Sequence, residues 1–272
     1  MRTHRYADWA RFIEHRVETI LNDCGYFKTG TVLPVDLEGL RAAFRIVAME
    51  ARPMIPEGAT EVTSGGFKIY LQSNFAELPE TASRRRFTLA HEFCHTLFFD
   101  DCAGAPKRID GAPTRDALEK LCHKGAGLLL VPTPLLRAET KALKREVTSK
   151  DIPSLARRFA VSVEVILRRL QETVDFSVID RAIILAGPLR GLTGPHVLAA
   201  HHGPWMLPYF HVPKYGLPLD TWLNGVADVR AILLSEGFEA RVPSGTLVGS
   251  TPTYVSQDRF LFDIRLQPAE PS

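Results

Sequence analysis

An α+β fold is predicted on two observations. The elements up to Leu130 run helix, helix, strands, helix, helix instead of alternating strand with helix. The last third of the chain then changes to short strand-like runs broken by Pro and Gly. Residues 6–21 place Trp9, Phe12, Ile13, Val17, Ile20 and Leu21 at helical spacing, and Gly25 lies just beyond, where a helix often stops. Pro34-Val35-Asp36 opens a second helix over about 37–44, with Asp36 as its N-cap. Residues 45–49 read as a strand. Residues 67–71 read as a half-buried strand, alternating apolar and polar after the Gly65-Gly66 turn. A helix covers about 82–99, a polar loop with Gly and Pro follows at 100–113, and another helix spans about 115–130, stopped by Val131-Pro132.

Residues 148–175 differ from what precedes them. Ser149-Lys150-Asp151 offers N-cap candidates, 152–159 forms one short helix, and Ser162 caps a second that reaches Val174. Two such helices joined by Ala160-Val161 resemble a helix-turn-helix. Beyond Phe176 the strand-like runs at 178–185 and 260–266 suggest a separate small α/β or β-rich domain. The chain therefore divides into 1–147, 148–175 and 176–272.

The composition, 45% apolar and 24% charged, is that of a soluble globular protein with a substantial core. A net charge of +2 gives no argument for nucleic acid or for a membrane surface, and no apolar run is long enough to span a bilayer. The start, Met1-Arg2-Thr3-His4-Arg5, lacks the apolar core and small-residue cleavage site of a secretory signal, so a cytoplasmic protein is expected. Cys24, Cys94, Cys102 and Cys122 form no C-x-x-C pair, which favours reduced, partly buried thiols over a zinc-thiolate site.

The chemistry is concentrated at His91-Glu92-Phe93-Cys94-His95. On a helix, residues four apart share a face, so His91 and His95 can direct their imidazoles at one ion. Glu92 projects beside that face, where a carboxylate can take a proton from water whose pKa zinc lowers towards ~7. The same motif arises by chance on solvated helix faces. Here the apolar flanks Phe87, Leu89, Ala90, Leu97, Phe98 and Phe99 predict a buried helix in which two imidazoles and a carboxylate need partners. A catalytic zinc needs three protein donors and an open position. Glu119, 24 residues beyond His95 and beside Leu118, Leu121 and Cys122, supplies the third. His123, one turn further, either hydrogen-bonds one of these donors or sits half-exposed.

The run Arg85-Arg86-Phe87-Thr88-Leu89-Ala90-His91-Glu92, together with Glu119-Lys120-Leu121-Cys122 and Leu129-Leu130-Val131-Pro132, resembles the ImmA/IrrE metallopeptidases over roughly residues 5–175. The resemblance implies a zincin-like domain over 1–147, zinc held by His91, His95 and Glu119, and Glu92 as general base. It further implies proteolysis of a helix-turn-helix repressor that releases stress or mobile-element genes, and a sensor-like, GAF-related domain over 176–272. Gly125 and Gly127 replace larger residues of the family pattern, Val131 replaces Met, and His123 stands where Asn or Asp is usual.

Other features carry weaker readings. Arg84-Arg85-Arg86 reads as a solvated face or helix start, the alternative being that Arg86 pairs with an acid elsewhere. Residues 141–169 are rich in Lys and Arg, yet Glu146, Asp151 and Glu164 intersperse them, so packing onto the peptidase is preferred to DNA contact. His196, His201, His202 and His211 lack an accompanying carboxylate or cysteine at ligand spacing, and with Trp205, Tyr209 and Phe210 they read as core or pocket lining. Two rival functions remain: a non-proteolytic DNA- or protein-binding regulator with a structural metal, and an anti-repressor that sequesters its partner. A carboxylate base beside an open coordination position argues against the first, and mixing with candidate repressors distinguishes the second: a stable complex without fragments means sequestration, fragments mean proteolysis. The expected partner is a protein substrate, with no membrane.

Overall fold

The computed structural model describes residues 6–28, 32–73, 81–100, 105–173, 181–188, 195–201, 229–230, 238–242, 245–250, 252–256 and 258–268. In chain order the elements are α1 (Tyr6–Asp23), β1 (Ile46–Arg52), β2 (Gly58–Thr63), β3 (Gly66–Gln72), α2 (Ala82–Thr96), α3 (Arg115–Leu130), α4 (Thr133–Ala142), α5 (Ile152–Phe159) and α6 (Val163–Thr173). The strands β4 (Arg181–Pro188), β5 (Pro195–His201), β6 (Val229–Arg230), β7 (Phe238–Val242), β8 (Gly245–Gly249), β9 (Thr253–Tyr254) and β10 (Phe260–Pro268) follow. The fold is mixed α+β, as the sequence predicts. Residues 1–136 with 157–162 form one compact unit, and 137–156 with 163–272 form another. Among the described residues no helix is long and apolar enough to cross a membrane.

In the first unit, α1 buries Trp9, Ile13, Val17 and Leu21, a stripe of one residue per turn. It packs on α3, and α3 packs on α2. Gly125 explains one departure from the family pattern: a Cβ there would stand 2.7 Å from both Cys94 Sγ and Ile13 Cδ1, so the larger neighbours fill the space that a side chain would take. Cys94 and Cys122 are fully buried, free thiols, and burial pushes both pKa values up, which keeps them protonated. Cys24 is exposed, and Cys102 lies outside the described residues.

The sheet has the order β1-β3-β2, with β3 parallel to β1 and antiparallel to β2. The strand expected before the motif helix is therefore the central one, with Phe67 and Ile69 buried. The edge that lies along α2 is β2, which the sequence does not announce.

The helix expected at 37–44 is instead a series of turns. Leu40 and Arg41 donate to Leu37 and Glu38, three residues back, at 3.2 Å, and the run closes at Arg45 in the left-handed region, φ 56°. So short a segment does not offset the cost of a helical nucleus. Asp36 still caps: its Oδ1 accepts the Glu38 N–H at 3.0 Å. The motif helix ends at Thr96, three residues early, and Phe99 forms a lone bridge with Arg108. Pro132 closes α3 and also opens α4, its carbonyl accepting the Leu136 N–H at 2.9 Å.

The second unit holds α6 and a seven-stranded sheet of order β5-β4-β10-β8-β7-β6, with β9 on β10. The pairings are antiparallel. The turn before α5 is anchored to β10: buried Ser149 donates its N–H and hydroxyl to the Asp263 carboxylate at 3.1 and 2.6 Å. In the same turn Asp151 accepts from Arg145 and Thr148, and these bonds, Arg145 first, hold its carboxyl down at about 2. The helices expected over 152–159 and from Ser162 onward are α5 and α6, separated by residues 160–162 with Ala160 at φ 51°. Residues 178–180, His202, Trp205, Tyr209, Phe210 and His211 lie outside the described residues, while His196 and His201 fall on β5.

Candidate metal centre and catalytic site

The i, i+4 spacing on α2 puts His91 and His95 on the face turned to α3, with ring centroids 4.8 Å apart. Phe93 and Cys94 point away into the core at 0% exposure, so burial of α2 fixes which face the imidazoles share. Packing of α3 on α2 brings Glu119 opposite. His91 Nε2 lies 3.1 Å from Glu119 Oε2 and 3.1 Å from His95 Nε2, and His95 Nε2 lies 3.8 Å from Glu119 Oε1. The two His side chains are 11% and 18% exposed against 45% for Glu119, so the centre is closed on the α2 side and opens past α3.

These three residues fit a metal ion. Donors 2.0–2.1 Å from one tetrahedral ion stand about 3.4 Å from each other, and the observed separations bracket that value. Without a cation, His91 Nε2 faces an acceptor and a second imidazole nitrogen with at most one proton to share. Burial holds the His91 imidazole neutral, its pKa down at about 3, with the neighbouring His95 and His123 adding to the effect. Burial also lowers His95, against the pull of Glu119. Neutral imidazoles are the form a metal takes. His91 Nδ1 is buried without a hydrogen-bond partner, so its orientation comes from packing.

Glu92 is 6% exposed and turns to β2. The Thr60 hydroxyl reaches both Glu92 Oε2, at 2.7 Å, and the Glu92 carbonyl, at 3.1 Å. Gly58 lies against the same carboxylate: a Cβ there would stand 2.7 Å from Oε1 and 2.8 Å from Cγ. Burial pushes the Glu92 carboxyl up to about 7; the Thr60 hydrogen bond opposes this and the Glu119 charge adds to it. A group poised near neutral pH can both take and return a proton. Sequence reading misses Thr60 and Gly58, because nothing in Gly58-Ala59-Thr60-Glu61-Val62-Thr63 connects it to a motif about 30 residues on. Thr60→Val, which removes only the hydroxyl, is expected to slow cleavage on the order of tenfold to a hundredfold while keeping metal content. Thr60→Ser should restore most of the loss. Equal rates for wild type and valine variant would remove Thr60 from the site.

His123 Nδ1 donates to the Glu119 carbonyl on its own helix, 2.9 Å away, and its ring stands edge-on to His91 at 4.5 Å. Arg86 donates to the Val35 carbonyl and not to an acid, while Arg84 pairs with Glu57.

Residues 78–171 match the IrrE N-terminal-like domain of the Peptidase_M78 family. Over this segment the chain is similar to the ImmA/IrrE family. His91, Glu92, His95 and Glu119 all lie inside it. The chain is 34% identical over 92 residues to the radiation response metalloprotease IrrE of Deinococcus deserti, covering 33% of this chain and 32% of that protein. It is 32% identical over 110 residues to IrrE of Deinococcus radiodurans, covering 39% and 32%. The chain thus spans about a third of the length of the curated relatives it matches. A Mycobacterium tuberculosis transcriptional regulator of known structure superposes with a TM-score of 0.47 at 15% identity, over 94% of this chain and 76% of that one, a likeness that defines neither fold nor function.

Proposed function

We propose that this chain is a cytoplasmic, zinc-dependent, site-specific endopeptidase that cleaves a helix-turn-helix repressor and so releases stress or mobile-element genes. The observation that carries the reading is the convergence of His91 Nε2, His95 Nε2 and the Glu119 carboxylate beside a buried carboxylate held for proton transfer. In this reading residues 1–147 are a zincin-like peptidase domain, 148–175 a helix-turn-helix-like segment and 176–272 a sensor-like, GAF-related domain.

When bound, zinc would acidify water and polarise the scissile carbonyl. Glu92 Oε2 is occupied by the Thr60 hydroxyl, which leaves Oε1 to accept the proton and pass it to the departing amine. The edge strand β2, not β3, is the one to which an extended substrate can add, and it carries Gly58 and Thr60 past the base. Arg145, Arg168 and Arg169 pair with Asp151, Glu164 and Glu172, and this neutralisation favours a packing role for 148–175 over nucleic-acid binding.

Incubation with purified helix-turn-helix repressors tests this. Fragments should appear, cease with a chelator, and return on adding zinc. A stable complex without fragments would instead indicate sequestration.

A further inference from the structure

The His123 ring stands at the same centre as His91 and Glu119. It follows Glu119 by one turn, and because side chains on a helix lean towards its N-terminus, the ring lies back over Glu119. It packs edge-on against His91 at 4.5 Å and 77°, and against Phe87 at 5.7 Å and 58°. Donor atoms of His91, Glu119 and His123 all fall within 4.8 Å of one another. The hydrogen bond to the Glu119 carbonyl settles the tautomer: a carbonyl only accepts, so Nδ1 carries the proton and the neutral ring presents its lone pair at Nε2.

We propose that His123 is a fourth protein donor to the metal in the substrate-free protein. The inference rests on the zinc reading above and adds to it. Three imidazoles and one carboxylate would fill the tetrahedral set and close the position a substrate needs. The donors differ in how firmly they are held. His91 and His95 are buried on α2, whereas His123 is exposed and sits on the solvent side with half-exposed Glu119. A side-chain rotation removes His123 from the centre without disturbing either helix. An arriving substrate therefore displaces His123 first, and the resting site stays closed until then.

The test needs no substrate. Zinc(II) and cobalt(II) are titrated into the metal-stripped full chain against a competing chelator, for wild type, His123→Ala and His123→Asn. Affinity is expected to fall at least about tenfold in both variants, and the visible absorption of the cobalt protein to change, with the metal-free melting temperature unaltered because the side chain is exposed. Variants that match wild type in affinity and in cobalt spectrum would overturn the proposal and leave the zinc reading standing. A wild type that takes up neither metal would overturn both.

Discussion

Glu92→Gln is expected to keep its metal and to lose cleavage by about 10²–10⁴-fold, the usual contribution of a positioned general base. The amide matches the carboxylate in shape and can still accept the Thr60 hydroxyl through its carbonyl oxygen, so the packing of α2 on β2 is preserved. What it cannot do is take a proton. Folding should not suffer. Burial disfavours the charged form of Glu92, raising its pKa to about 7, and a neutral amide removes that cost. The variant should therefore melt no lower than wild type at neutral pH. Parallel measurement of repressor fragments, metal content and melting temperature separates a lost base from a lost fold. Cleavage at the wild-type rate would eliminate Glu92 as the base.

Glu119→Ala is expected to weaken metal binding by more than about a hundredfold, since loss of a mere supporting partner already costs 10–100-fold. Glu119 is the anionic member of the set and lies within 3.8 Å of both imidazoles. Its side chain is 45% exposed, so removing it leaves no cavity in the core and the chain should fold. Chelator competition read beside a thermal melt checks this. An unchanged affinity would mean that another group completes the set.

That His91 and His95 share one helix face was legible in the sequence because helix geometry alone brings residues four apart together, and because apolar flanks such as Leu97 and Phe98 show that this helix faces the core. The same periodicity marks α1 and α3. What supports Glu92 was not legible. β2 has only Ala59 and Val62 as apolar residues, begins with Gly58, and earns its strand from pairing to β3 and contact with α2. Thr60 and Gly58 consequently carry no local signal, although they fix the position of the carboxylate. The turns at 37–45 show the opposite failure: helical spacing was present, but the segment is too short to sustain a helix and Arg45 closes it. Pro132 read only as a stop for α3, and its second role as the start of α4 depends on a carbonyl, which composition does not report.

Elemental analysis of the purified wild-type chain decides whether the site holds a metal. About one zinc per chain is expected, bound through His91, His95 and Glu119. A well-folded chain that holds no stoichiometric metal, and takes none up when zinc is supplied, would contradict that expectation.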